Sequence, residues 1–137
     1  MVNGSNAISR AMMRRMNRDG LSKVKLLDFK PFRGAVSHLT HTIESTEIEK
    51  VQILNSAALN HGLEGSENVI YFTHDYFSMA HDKNDVLKAT ARAAKENGVK
   101  RLIAVCPMEY DLYYSEEGVD PIEERTKAEE EAFNIFP

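Results

Sequence analysis

Two short apolar runs, Val69-Ile70-Tyr71-Phe72 and Leu102-Ile103-Ala104-Val105, bracket a stretch of helical period, and this leaves little freedom in what the chain can fold into. Each run is continuous rather than alternating, as expected of a strand buried on both faces of a parallel sheet. Between them Val86, Leu87, Thr90, Ala91 and Ala94 line one helix face, with Lys88, Arg92, Lys95 and Glu96 on the other. Asp82 or Asn84 is expected to cap the start of this helix, and Gly98 to end it in the left-handed conformation. Strand, helix and strand form a βαβ unit, whose crossover is right-handed in almost every known case.

The rest of the chain extends this unit in both directions. Residues 2–4 suggest a short first strand, followed by the polar turn Asn3-Gly4-Ser5-Asn6 and a helix with Ile8, Ala11, Met12 and Met16 on one face. Arg10, Arg14, Arg15 and Arg18, with no acid before Asp19, also suit a basic, amphipathic mitochondrial presequence, although the first helix of a layered array is the preferred reading. Asp19-Gly20 breaks the helix, and residues 24–28 give the second strand. Residues 29–50 hold Pro31 and Gly34, show no clean period and read as a long connection. A third strand is expected at 51–55, then a short helix through Ala57, Ala58 and Leu59 to Gly62 or Gly65. Strands at 68–73 and 101–106 follow, then a tyrosine-rich loop. In the last helix Asp120 is the expected N-cap, Pro121 the first helical residue and Glu123 the N3 acid, with Phe133 and Phe136 anchoring its end.

With 137 residues, 42% of them hydrophobic, the chain suffices for one core, so 1–137 is read as a single domain. A net charge of −4 without a basic stripe or aromatic platforms argues against nucleic acid as a partner. No apolar run approaches the roughly 20 residues of a membrane span. One cysteine, Cys106, leaves no internal disulfide and fits a reducing compartment. His38, His41, His61, His74 and His81 show no metal-ligand spacing, so no metal is expected. Glu129-Glu130-Glu131 reads as a solvated helix face.

This order of elements resembles the N-terminal half of the extended and atypical short-chain dehydrogenase/reductase family. In that family the first strand ends in TGxxGxxG; here the same place reads Asn3-Gly4-Ser5-Asn6-Ala7-Ile8-Ser9-Arg10, with Gly4 kept, Ala7 for the second glycine and Arg10 for the third. LEGSENVIYFTH and AAKENGVKRLIAVC are similar to the approaches to the family's fourth and fifth strands. The resemblance implies a three-layer α/β fold of Rossmann type, a parallel sheet in the order 3-2-1-4-5 with the first strand central, incomplete at both ends. It also implies that Gly4 would permit the tight turn of the cofactor site and that pyrophosphate would lie against the amides of Ser5, Asn6, Ala7 and Ile8 at a helix N-terminus. Thr73 would lie under the cofactor, and Asp28 would meet the adenosine ribose, as expected for NAD. Lys30 and Arg33 would instead favour the 2′-phosphate of NADP, and two cations against one acid tip the balance to NADP.

The catalytic set of the family is not matched. Val105-Cys106-Pro107 stands where the family has its serine, and in ERTKAEEE Lys127 matches the lysine of YxxxK, which implies a cofactor-binding role for it, while Glu123 occupies the tyrosine position. A carboxylate beside a lysine is a poor proton donor near pH 7. The expectation is therefore a protein without catalysis that keeps NADP or NAD as a structural element. An active reductase, epimerase or dehydratase on a nucleotide-sugar-like substrate is the alternative. Within the family the lost tyrosine and the EAFNIFP ending are most similar to the NAD(P)-binding accessory subunit of mitochondrial respiratory complex I. That resemblance implies other subunits as partners and the matrix side of the inner membrane as location, with the cytoplasm as the alternative.

Overall fold

The computed structural model describes residues 1–2, 7–20, 23–28, 46–50, 55–72, 80–105 and 121–137. Its elements are α1 (Ala7–Arg18), β1 (Val24–Asp28), β2 (Thr46–Lys50), α2 (Ser56–Leu63), β3 (Asn68–Phe72), α3 (Ala80–Glu96), β4 (Arg101–Val105) and α4 (Pro121–Ile135). β1 pairs with β2 in parallel, and β3 with β4. Val2 joins the two pairs, forming parallel bridges to Leu27 on one side and Tyr71 on the other. Its amide donates to the Ile70 carbonyl at 2.8 Å and its carbonyl accepts from Phe72 at 3.0 Å; on the other side Leu27 donates to the Met1 carbonyl at 2.8 Å. The spatial order is thus β2-β1-Val2-β3-β4, and a fully buried valine occupies the centre of an α/β parallel sheet.

Helices cover both faces. Successive strand residues point to opposite sides, so Val24 and Leu26 meet Met13 of α1, whereas Leu27 joins the main core with Leu59 and Leu63 of α2, Val69 and Tyr71 of β3, and Val86, Leu87, Ala91 and Ala94 of α3. The expected apolar face of α3 is buried throughout, including Thr90, whose hydroxyl donates to the Val86 carbonyl at 2.7 Å. Gly98 has φ 65°, and the bonds Gly98 N–H to Lys95 O and Val99 N–H to Ala94 O close the helix in a Schellman motif. α4 lies on α3 through the small buried residues Ala128 and Ala132. Lys88 bridges the two helices, reaching Asp85 at 3.2 Å and Glu131 at 3.3 Å. The hydrogen bond that Lys88 donates to Asp85 first, and then the one to Glu131, outweigh desolvation and raise the Lys88 pKa above its ordinary value.

Several expectations are corrected. Thr46–Lys50, read from sequence as the end of a long connection, is a strand. Its TEIEK alternates charge with one isoleucine, as suits a strand with a neighbour on one side only among the described residues. Asn55 is instead the N-cap of α2, its side-chain oxygen accepting from Ala57 N–H at 3.1 Å and Ala58 N–H at 3.2 Å, while 51–54 lie outside the described residues. On α1 the buried residues are Ser9 and Met13; of the expected face Met16 packs against that cluster, but Ile8 and Ala11 are exposed, because the helix is turned so that 9, 13 and 16 face the sheet. α3 is already under way at Ala80, so Asp82 and Asn84 lie inside the helix and cannot cap it. β4 is not buried on both faces: Ile103 and Ala104, which point to opposite faces of the sheet, are exposed. Phe136 packs against the core, but Phe133 is 75% exposed.

Candidate functional site

Because the described strands are all parallel, the carboxyl ends at Val2, Asp28, Lys50, Phe72 and Val105 share one edge of the sheet. α1 begins at Ala7, five residues on from Val2, and therefore starts near that edge. From Val2 the chain passes through α1 to β1 on one side, while β3 lies on the other. This is a topological switch point, where open α/β sheets leave a crevice for ligands.

The first amides of α1 have no acceptor within the helix, and the helix dipole adds positive potential there. No acidic residue stands in the first turn to compete for them. Ile8 is 54% exposed at this end, an apolar surface that a bound ligand would cover. Ser9 is fully buried and hydrogen-bonded or otherwise engaged, while Arg10 is half-buried. The small residue that lets the helix approach the sheet is therefore Ser9, so Arg10 in the third-glycine position does not wedge helix from strand. The i, i+4 relation of Ser9 to Met13 was the signal that could have revealed this.

Of the residues singled out from sequence, Ala7 is the first residue of α1 and Ile8 follows it; Asp28 ends β1, in register with Lys50. Gly4, Ser5, Asn6, Lys30, Arg33 and Thr73 lie outside the described residues. Lys127 is on α4, where its ammonium lies 2.9 Å from Glu123 and both side chains are about two-thirds exposed. Glu123 thus holds the lysine in an i, i+4 surface pair. Among the described residues, no three His, Cys, Asp or Glu side chains converge as a metal site, and no helix is long and apolar enough to cross a membrane.

The helix end fits an anionic ligand: the N-terminal pole of the dipole, no competing carboxylate in the first turn, an exposed apolar side chain and a half-buried arginine.

These features define an α/β domain with a Rossmann-type parallel sheet. Solved structures share it. Triphenylmethane reductase from Citrobacter sp. superposes with a TM-score of 0.68 over 98% of this chain and 44% of its own, at 7% identity. Its complex with NADP(H) gives the same TM-score at 8% identity. A dTDP-glucose 4,6-dehydratase double mutant from Streptomyces venezuelae, with NAD and DAU bound, gives 0.66 over 98% of this chain and 48% of its own, at 15% identity. The chain spans slightly less than half the length of these proteins, and at such identities the likeness is one of fold. No protein-family model and no curated protein matches the sequence.

Proposed function

We propose that this chain is a dinucleotide-binding domain of the short-chain dehydrogenase/reductase type that holds NADP, or NAD, without turning over a substrate. The observation that carries the binding half is the N-terminus of α1, free of first-turn acids, at the switch point of the parallel sheet. Two of the structurally similar proteins were solved with NADP(H) and with NAD, which supports the same ligand class here. Asp28, at the end of β1, is the candidate for the ribose hydroxyls; Lys30 and Arg33 are candidates for a 2′-phosphate. A bound nicotinamide would supply hydride chemistry, but the residues expected to steer a proton are replaced. Glu123 stands where the family has tyrosine and is held by Lys127, and Pro107 follows Cys106 where serine is expected.

Titration calorimetry with both dinucleotides tests the reading. NADP is expected to bind more tightly than NAD, Gly4→Val to abolish both, Arg33→Ala to weaken NADP selectively and Asp28→Ala to weaken NAD. Failure of the unmodified protein to bind either would leave the fold as a scaffold only. Hydride transfer over a panel of carbonyl substrates is expected to be absent; turnover would favour the reductase or dehydratase alternative. The role as an accessory subunit of respiratory complex I is supported by motif resemblance alone. It predicts co-migration with the complex on native gels, and a free small species would refute it.

A further inference from the structure

Asn97 closes α3, and Gly98 follows it with a positive φ. The Asn97 carboxamide nitrogen donates to the Ala93 carbonyl at 2.9 Å, to the Asn60 carbonyl at 3.0 Å and to the Asn60 side-chain oxygen. Backbone carbonyls only accept, so the side chain must present its NH2 to this place. Asn60 in turn donates to Glu96 Oε2 at 2.6 Å. One side-chain amide thus ties the last turn of α3 to the middle of α2, and α2 rests on β1 through Gly62 and Leu27.

An asparagine followed by glycine is chemically labile, because no side chain hinders the next amide from attacking the carboxamide. We propose that Asn97-Gly98 is a deamidation site whose product releases α2 from α3. In the first step the Gly98 nitrogen loses its proton and bonds to Cγ of Asn97, while the Cγ–Nδ2 bond breaks and ammonia leaves. Water then opens the resulting cyclic imide at either carbonyl, giving aspartate or isoaspartate with no oxidant or reductant involved.

Two native contacts hold the reaction back. The Gly98 N–H donates to Lys95 O at 3.1 Å, and the carboxamide is fastened as described. Attack requires the last turn of α3 to open, and helix ends are among the segments that open most easily. Gly98 is exposed and Asn97 half-buried, so solvent reaches the site once it opens.

The product cannot remake the lock. A carboxylate donates no hydrogen bond, yet it would face two backbone carbonyls, the Asn60 oxygen and, beyond Asn60, the Glu96 carboxylate. Lys100, three residues on, is already paired with Glu67 at 3.2 Å. Isoaspartate would also lengthen the backbone by one atom inside the Schellman turn that seats buried Val99.

Native full-length chain is aged in mildly alkaline buffer, with a parallel sample in urea. Isoaspartate at position 97 is followed by peptide mass spectrometry, and hydrogen exchange is measured over 55–64. Isoaspartate is expected to form in both samples, more slowly in the native one, and exchange across α2 is expected to rise with the deamidated fraction. Asn97→Asp should reproduce that rise, with exchange over β3 unchanged. The proposal is overturned if aged native protein stays intact at 97, if native and urea samples react equally fast, or if α2 exchange in Asn97→Asp equals that of the unmodified protein. A global rise in exchange that includes β3 also overturns it, because the lock would then not be local to α2.

Discussion

A methyl group placed on Gly62 would lie 2.9 Å from Cδ1 and 3.2 Å from Cδ2 of Leu27, but 3.6 Å from its Cγ. Gly62 sits inside α2, where alanine is favoured over glycine by roughly 0.5–1 kcal/mol. Leu27 is fully buried and cannot swing into solvent, and overpacking a core of this kind costs about 1–3 kcal/mol. Gly62→Ala should therefore destabilise the fold by about 1 kcal/mol despite its better helix propensity. Leu27→Val removes both δ-carbons and leaves branches at the depth of the present Cγ, where the new methyl makes an ordinary contact; alone it should cost about 1 kcal/mol for the lost methylene. The double variant restores the volume and should lie near the parent, giving a coupling of about 1–2 kcal/mol. Urea unfolding of the four proteins with a common slope measures this. Gly62→Ala changing stability by the same sign and amount in both backgrounds would refute the packing argument. Leu27 directly precedes Asp28, so calorimetry on the same four proteins reports whether the strand end moves with the core.

Glu123→Gln should change stability by no more than about 0.5 kcal/mol, because the Glu123–Lys127 pair is exposed, and should leave dinucleotide affinity unaltered; a tenfold loss would show that the pair belongs to the site. Gly98→Ala should cost about 1–2 kcal/mol through its positive φ alone, since an added Cβ meets nothing within 4 Å, and thermal unfolding measures it. In protein carrying a free Met1 amine, burial first and Lys25 second lower the amine pKa from 8.0 to about 5, while it donates to the Lys25 carbonyl at 2.6 Å. Between those values the unfolded chain binds more protons, so stability should fall as pH drops from about 8 to 5. N-terminally acetylated protein should lack this component of the slope; identical pH profiles for the two forms would refute it.

Local pattern carried the reading furthest where each residue's neighbours along the chain decide its environment. The period of α3 from Val86 to Ala94, the stop at Gly98 and the continuous run 69–72 are of this kind, and together they require a parallel α/β layer. The switch point followed from element order, since a first strand leading to a helix and then to a neighbour on one side leaves its other side for the fourth. Tertiary placement determined the remainder. TEIEK forms a strand only because β1 offers it a parallel edge, and its own alternation carries too few apolar residues to announce that. Ile8 and Ser9 exchange their expected roles because the face of α1 that is buried is set by where the sheet lies, and both choices satisfy a helical period. Ile103 is exposed although its run matches that of β3, because burial of a strand residue depends on what packs over its face of the sheet, which the run itself does not encode. The same holds for Asn60 and Asn97, which are 37 residues apart and unremarked in the sequence; only the packing of α2 against α3 makes them one hydrogen-bonded unit.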